Sequence, residues 1–187
     1  MTTNHIAAAA GVSPGNLYYW FRNKSEIVRA LFEIWRDESA LPAISPREPS
    51  ERVAMLFSSV YAQIEVTGRF AVFSRELVPL LHADEKLAEM YRDNYVHRVD
   101  TLTLIVEGLV ESGHLTAPPQ PATLRDLVQS TWITTEYAPS FIAAISAGRE
   151  ADDPDADADA VAAIIRAPLV AQLTPLGLAA LSSVTTV

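Results

Sequence analysis

The chain has 187 residues, of which 49% are hydrophobic and 20% charged, and it contains no cysteine. This composition is typical of a globular protein with a packed core and excludes general disorder, disulfides and thiolate chemistry. A cysteine-free chain fits the reducing cytoplasm. The net charge of −9 is unevenly spread, because residues 1–25 carry Arg22 and Lys24 and no acid. This asymmetry favours a segment that faces a polyanion on an otherwise acidic protein.

The first residues predict two short helices joined by a tight turn. A threonine caps a helix that runs through Ile6–Ala10, and Gly11 suits the left-handed conformation that closes it. Ser13 caps a second helix over Pro14–Phe21, in which proline takes the first position. We expect Ser25 to cap a third helix, whose apolar stripe continues to residue 35.

The rest of the chain also has helical periodicity, and no stretch alternates apolar and polar residues as a strand does. The fold class is therefore predicted to be all-α. Pro139 is expected to kink its helix, and neither residues 1–21 nor 167–187 fit a signal peptide or a membrane span. Helices are predicted over 53–64, 70–81, 84–113, 124–145 and 160–173, with linkers at 41–49 and 117–121 and an acidic loop at 152–159.

Residues 2–27 predict a helix-turn-helix. Ala7, four residues before Gly11, supplies the small side chain that closely crossing helices need. A miniature core is expected from Ile6, Val12, Leu17 and Phe21. The opposite face presents Asn16, Tyr18 and Tyr19, which is unusual for a solvent face. Such groups suit a surface that meets phosphates and thymine methyl groups.

The stretch IAAAAGVSPGNLYYWFRNKSEI resembles the DNA-binding signature of the tetracycline-repressor (TetR) family, commonly seen as IA-x-x-AGVS-x-G-x-LY-x-HF-x-x-K-x-x-L. The motif covers about the first 27 residues, and FSRELVPLLHADEKLAEMYR and LTPLGLAAL more weakly resemble a helical C-terminal domain of these repressors. The resemblance implies a DNA-binding region with its connecting helix over 1–40 and an effector-binding and dimerisation domain over 41–187. The matching positions are Ile6, Ala7, Ala10, Gly11, Val12, Ser13, Gly15, Leu17, Tyr18, Phe21 and Lys24.

The resemblance further implies that the second helix lies in the major groove and that Lys24 contacts a phosphate. Trp20 stands where the family usually has histidine, and Pro14 replaces a frequent lysine. For the two tyrosines we favour DNA contact over an interior aromatic cluster, whereas the alternatives are nearly even for Trp20. The predicted DNA-binding residues are Thr3, Ser13, Pro14, Gly15, Asn16, Tyr18, Tyr19, Trp20 and Lys24.

One departure from the family is larger, because an amphipathic helix normally precedes this motif and the sequence begins without it. We therefore expect Ile6, Leu17 and Phe21 to lack part of their cover, and operator binding by this chain to be weak or absent. The alternative function is a dimerising, ligand-binding helical protein that no longer binds DNA.

The implied partners are a palindromic double-stranded DNA operator, a second copy of the chain and an unknown small-molecule effector that releases the repressor. The helices around 124–145 and 160–173 are expected to pair with their copies in a four-helix bundle. Some of the scattered aromatic residues are expected to line an effector pocket, with ordinary core as the alternative: Trp35, Phe57, Tyr61, Phe73, Trp132 and Tyr137.

No catalytic site, cofactor or metal site is predicted. The sequence has no nucleophile elbow, phosphate-binding loop or dinucleotide fingerprint, so an enzyme is not expected. Glu111-x-x-His114 lacks the second copy that a di-iron site needs, and we expect it to be exposed to solvent. We interpret Asp93, His97 and Asp100, with Arg92 and Arg98 nearby, as a solvated, salt-linked helix face.

Overall fold

The computed structural model describes residues 2–40, 48–146 and 154–182, with side chains in the last range from residue 158 onwards. These ranges contain nine α-helices and no strand beyond a single bridge between Leu115 and Leu173, which confirms the all-α prediction. None of these helices is both long enough and apolar enough to span a bilayer. The helices are α1 Thr3–Ala9, α2 Pro14–Trp20, α3 Lys24–Glu38, α4 Pro49–Arg69, α5 Ala71–Ala83, α6 Glu85–Glu111, α7 Leu124–Ser146, α8 Pro154–Val170 and α9 Pro175–Ser182.

Two helix starts show how local hydrogen bonds set the boundaries. Asp84 caps α6, since its carboxylate accepts from the Leu87 amide at 3.1 Å. Asn23, and not Ser25, caps α3, because its side-chain oxygen accepts from the Glu26 amide at 3.0 Å. The Glu26 carboxylate in turn accepts from the Arg22 amide at 2.7 Å, so the chain before the helix is tied to its first turn. The predicted cap at Ser25 was therefore wrong by two residues.

The chain after residue 146 differs most from the predictions. Helix α8 begins at Pro154, so the loop expected over 152–159 was wrong from that residue onwards. Proline suits the first position of a helix, and the positive helix N-terminus favours nearby acids, which explains why an acidic segment starts a helix here. The last predicted helix ends early at Val170, and α9 follows from Pro175 to Ser182. Most of the linker predicted at 41–49 lies outside the described residues, and α4 begins at Pro49.

Three clusters of buried side chains form the core. The largest joins α4, α6 and α7 with the ends of α8 and α9, and it includes Val53, Phe57, Val106, Leu109, Val128 and Leu169. A second joins α4, α7 and α8 through Val60, Ala138, Val161, Ala162 and Ile165. A third joins α3 to α4, α5 and α6 through Val28, Phe32, Trp35, Val66, Phe73 and Leu87. Helices α4 to α9 are called the body here, and residues 2–23 with α1 and α2 are called the head.

Helix α3 packs on the body through aromatic rings. The Phe32 ring lies 5.9 Å from Phe73 in an edge contact, and the Trp35 ring stacks on Tyr91 at 6.4 Å between centroids. Arg29, closer to the head, forms a partly buried ion pair with Asp84 at 3.2 Å. Because these contacts fall along much of α3, this helix packs against the body.

The segment between α6 and α7 pairs with the chain between α8 and α9. The Thr116 amide donates to the Gln172 carbonyl at 2.7 Å, and the Thr174 amide donates to the His114 carbonyl at 3.1 Å. His114 is buried, with its Nδ1 3.0 Å from the Ser112 hydroxyl, so the expectation that it would be exposed was wrong. Gly177 approaches this segment so closely that an added Cβ would overlap the His114 carbonyl oxygen.

Candidate nucleic-acid interface

The turn between α1 and α2 is fixed by backbone hydrogen bonds. The Gly11 amide donates to the Ala8 carbonyl at 3.2 Å, and the Val12 amide donates to the Ala7 carbonyl at 3.0 Å. This pair of bonds is the Schellman arrangement, which requires a left-handed residue, and Gly11 has φ +67°. The Ser13 hydroxyl then accepts from the Asn16 amide at 3.1 Å and starts α2. The predicted helix, turn and second helix are confirmed.

Helix α2 presents its aromatic side chains to solvent, and none of its residues is buried. Tyr18 is 49% exposed, Tyr19 78% and Trp20 71%. The Tyr19 and Trp20 rings meet edge to face at 5.2 Å, which leaves both on the outer surface. Large aromatic side chains in a contiguous exposed patch are characteristic of a binding surface.

One hydrogen bond joins the two helices of the head across this surface. The Tyr18 hydroxyl lies 2.7 Å from the Thr3 hydroxyl. This bond holds the Tyr18 ring in one orientation while about half of its surface stays accessible. Thr3 and Tyr18, fifteen residues apart in sequence, therefore form one polar group on the exposed side of the helix pair.

The other predicted contact residues lie on α1, on α2 with its cap, and at the start of α3. Ser13, Pro14, Gly15, Asn16 and Lys24 are exposed, whereas Thr3 is half-buried. An added Cβ at Gly15 would meet nothing within 4 Å, so the backbone at the start of α2 is open. All nine predicted residues thus belong to the head or to the first residue of α3, and their contact with DNA stays a prediction.

The interior of the head is small. Ala7 is its buried residue, where α1 and α2 cross, while Ile6, Leu17 and Phe21 are half-buried. Val12 is 37% exposed, so the expectation that it would join the miniature core was wrong. The short turn places Val12 at the rim of the helix crossing, where the described residues do not cover it.

Comparisons with known proteins agree with this geometry. Residues 1–31 match the model of bacterial regulatory proteins of the tetR family, and residues 38–181 match a model described as a bacterial transcriptional repressor of the TetR type. The chain belongs to the TetR family. Its helix-turn-helix is therefore the DNA-binding region of a family of transcription regulators.

A solved relative has the same fold over nearly the whole chain. It is a TetR-family transcriptional regulator from Marinobacter aquaeolei VT8, with 26% sequence identity and a TM-score of 0.74. The alignment covers 99% of this chain and 87% of that one. No curated protein matches the sequence.

The TetR-family body contains a cavity of about 280 Å³ beside the end of α3. The last turn of α3 and the residues after it, Glu38, Ser39 and Ala40, form one wall. Helices α4, α6, α7 and α8 supply the others, with an apolar lining that includes Met55, Leu56, Val60, Leu102, Ile165 and Leu169. We call this space the inner cavity.

Of the six aromatic residues predicted to line an effector pocket, Trp132 lines the inner cavity. Trp35 and Phe73 are buried in the cluster under α3, and Phe57 belongs to the largest core cluster. Tyr61 and Tyr137 are each 44% exposed on the surface of the body. The pocket assignment of these residues stays a prediction, with the inner cavity as the site to test.

Three charged residues line the inner cavity, and none of them was predicted as a site residue: Glu38, Arg98 and Glu136. Arg98 was assigned to a solvated face, but it points inward, and its guanidinium carbon lies 5.3 Å from the Trp132 ring centre. Glu136 is 7% exposed and lines the same cavity. A signal for Glu136 was available, because the buried Val128 and Trp132 precede it at spacings of four on one face of α7.

Burial changes the acid–base properties of this group. Loss of solvent raises the pKa of Glu136 to about 7, while the Arg98 charge and the Tyr91 hydroxyl act in the opposite direction. Burial likewise lowers the pKa of Arg98 and raises that of Tyr91, to which the Glu136 charge also contributes. The Glu136 carboxyl therefore titrates near neutral pH.

The solvated, salt-linked face predicted on α6 is present except for Arg98, which points into the inner cavity. Asp93, His97 and Asp100 are exposed, and Asp100 pairs with Arg125 at 2.6 Å. Within the described ranges no group of three or more histidine or acidic residues is placed to hold a metal ion.

Proposed function

We propose that this TetR-family protein is a ligand-released repressor that binds a palindromic operator as a homodimer. The observation that carries the DNA-binding part is the exposed aromatic surface of α2, where Tyr18, Tyr19 and Trp20 face solvent beside the Ser13 cap. In a helix-turn-helix, the second helix enters the major groove and its side chains reach base edges. We propose that the head and the connecting helix α3 form a DNA-binding region over residues 1–40, followed by an effector-binding and dimerisation domain over 41–187.

The proposed contacts divide by chemistry. The tyrosine and tryptophan rings supply apolar faces for thymine methyl groups, and the Thr3–Tyr18 pair presents hydroxyls to phosphate or base edges. Lys24, exposed at the start of α3, supplies a phosphate contact. Phosphate contacts make the affinity fall steeply with salt, which gives the proposal a measurable signature.

The proposed dimer forms through the outer face of α7. Ile133, Tyr137, Phe141 and Ile145 recur every fourth residue, and each is between 44% and 63% exposed. Four residues per step is close to one helical turn, so these side chains form one apolar stripe. Ile164 on the adjacent α8 is also exposed. A second copy of the chain would cover this surface and set two heads at a fixed distance, about 34–36 Å for half-sites one DNA turn apart.

The proposed release of DNA acts through α3. This helix has 15 residues and so spans about 22 Å between the head and the inner cavity. Because Glu38, Ser39 and Ala40 form a cavity wall, an effector in the cavity would contact the end of the helix that carries the head. Differential affinity for two arrangements of α3, typically about 1–3 kcal/mol, is sufficient for release.

DNA binding is tested with fluorescently labelled DNA from the promoter of the protein's own gene, by anisotropy at several salt concentrations. We expect affinity to decrease steeply with salt, and Tyr19→Ala to weaken binding by about tenfold or more. Leu104→Ala, at a large exposed side chain of the body, is the control and should leave the affinity unchanged. Salt-independent or undetectable binding by the unaltered chain would favour the alternative, a dimerising ligand-binding protein that does not bind DNA.

Dimer formation is tested by sedimentation equilibrium. Phe141→Glu puts a charge in the centre of the apolar stripe and should shift the protein to monomer. Leu104→Glu makes the same change at a 66% exposed residue of α6, away from the stripe, and should leave the dimer intact. Equal effects of the two substitutions would refute the assignment of the α7 face.

A further inference from the structure

One charged side chain of the inner cavity, Arg98, has buried nitrogens without a hydrogen-bond acceptor. Nε and Nη1 of Arg98 are buried, and neither has a hydrogen-bond partner. None of the ion pairs found in the described ranges includes Arg98. Buried polar groups in native proteins are normally paired, so two unpaired guanidinium nitrogens beside a cavity indicate a place where an acceptor binds.

The acids of the cavity wall do not meet this need. Glu38 is engaged by Arg69 at 2.5 Å. The Glu136 charge attracts Arg98, but the Glu136 carboxyl also accepts a hydrogen bond from the Tyr91 hydroxyl. In addition, this carboxyl is only partly ionised at neutral pH. The Arg98 charge therefore remains incompletely balanced, and this favours an anion over a cation as the ligand.

The rest of the cavity sets the character of the ligand. Its volume of about 280 Å³ lies near the lower end of small-molecule sites, and its wall is mainly apolar. Arg98 lies over the Trp132 ring, so an acidic group bonded to the guanidinium would have its apolar part beside the indole. A planar guanidinium fork matches the two oxygens of a carboxylate.

We propose that the inner cavity binds a small, mainly apolar organic acid, whose carboxylate accepts hydrogen bonds from the Arg98 guanidinium. This inference rests on the proposed function, since it names the chemical class of the effector. The carboxylate lies against α6 and α7, and the apolar part lies between α4 and α8 toward Ser39 and Ala40.

The proposal is tested by calorimetry with matched probes and no DNA. Octanoate and 3-phenylpropanoate are compared with octanamide and 3-phenylpropanamide, which keep the shape and lose the charge, and with octylammonium, which reverses it. We expect each acid to bind about 10- to 100-fold more tightly than its amide, as charge-assisted hydrogen bonds to a buried group imply. Octylammonium should bind more weakly than octanoate.

Variants at Arg98 assign the preference to that residue. Arg98→Met should reduce the acid-to-amide ratio to about twofold or less while leaving the affinity for the amides similar. Arg98→Lys keeps the positive charge but lacks the paired donors of the guanidinium, so it should give an intermediate acid-to-amide ratio. It replaces Arg98→Met as the test variant if circular dichroism shows that Arg98→Met does not fold. An unchanged ratio in a folded variant, tighter binding of octylammonium, or no binding of either acid at millimolar concentration would each overturn the proposal.

The anisotropy measurement keeps the two hypotheses apart. Salt-dependent DNA binding without binding of the acids would support the DNA-binding function and refute the proposal that the effector is an organic acid. Binding of the acids through Arg98 without DNA binding would support the organic-acid site and refute the DNA-binding function.

Discussion

The buried Glu136 predicts a pH dependence of stability that an isosteric substitution should remove. The carboxyl has a pKa of about 7 in the folded protein and an ordinary value of 4.5 when solvated. Because the folded state holds the proton more tightly, the unfolded state binds fewer protons between these values, and stability decreases as the pH rises through this window. The contribution is fully present below pH 4.5 and is lost above about pH 7.

The size of the effect follows from the two pKa values. Each pKa unit corresponds to about 1.4 kcal/mol, so the whole shift contributes about 3 kcal/mol. The protein has an isoelectric point near 4.8, where solubility is lowest, so the useful range lies above it. Between pH 5.5 and 8 the expected loss is about 2 kcal/mol.

The assay is urea unfolding followed by tryptophan fluorescence, for the unaltered protein and for Glu136→Gln, at equal protein concentration. Groups that titrate in both proteins cancel in the difference, and Arg98 stays cationic throughout. The difference in unfolding free energy should change by about 2 kcal/mol across the range, with the unaltered protein losing stability relative to the variant. Glu107→Gln, at an exposed position of α6, is the control and should give a constant difference. Parallel curves for Glu136→Gln would refute the reasoning.

Three further predictions concern the fold and the head. Gly177→Ala should destabilise the protein by about 2 kcal/mol in urea unfolding, because the new Cβ would overlap the His114 carbonyl and lie 2.8 Å from Leu173 Cδ2. The control is Gly68→Ala, whose Cβ would meet nothing within 4 Å and which should be neutral or stabilising. Equal losses of stability in the two variants would contradict the close approach of Gly177 to His114. Asn23→Ala removes the cap of α3 and should cost about 1 kcal/mol, whereas Ser25→Ala should cost less; the reverse order in thermal unfolding would restore Ser25 as the cap. Thr3→Val removes the partner of the Tyr18 hydroxyl and should weaken DNA binding by a few-fold at constant stability. Tyr18→Phe added to Thr3→Val should weaken binding little further, because the two hydroxyls act together. Additive losses of affinity in anisotropy titrations would show that they act independently.

The head could be predicted almost completely because its signals are local. Gly11 closes α1, Ser13 caps α2, and both signals depend on residues within four positions. The exposure of Tyr18 and Tyr19 followed from the same periodicity, since Leu17 and Phe21 occupy the inner face. The error at Ser25 is of the same local kind: Asn23 and Ser25 are both good caps, and the bond from the Arg22 amide to Glu26 favours the earlier one.

The inner cavity could not be predicted because it depends on which faces of long helices turn inward. Helix α6 has 27 residues and contacts several neighbours along its length, so its apolar pattern does not define one inner face. Arg98 lies among charged residues in sequence, and its burial depends on the placement of Trp132, 34 positions later. The sequence predicted a charged helix face, but it did not show which member of that face would be inside.

The position of the cavity matters more for the proposed regulation than its volume. Ser39 and Ala40 belong to its wall, and they directly follow α3, the helix whose first residues follow the head. The aromatic contacts of Phe32 and Trp35 pack the second half of α3 against α5 and α6. A ligand in this cavity would therefore contact both the fixed helices of the body and the end of α3. A site between α8 and α9 has no such contact with α3 and would need an additional moving element to influence the head.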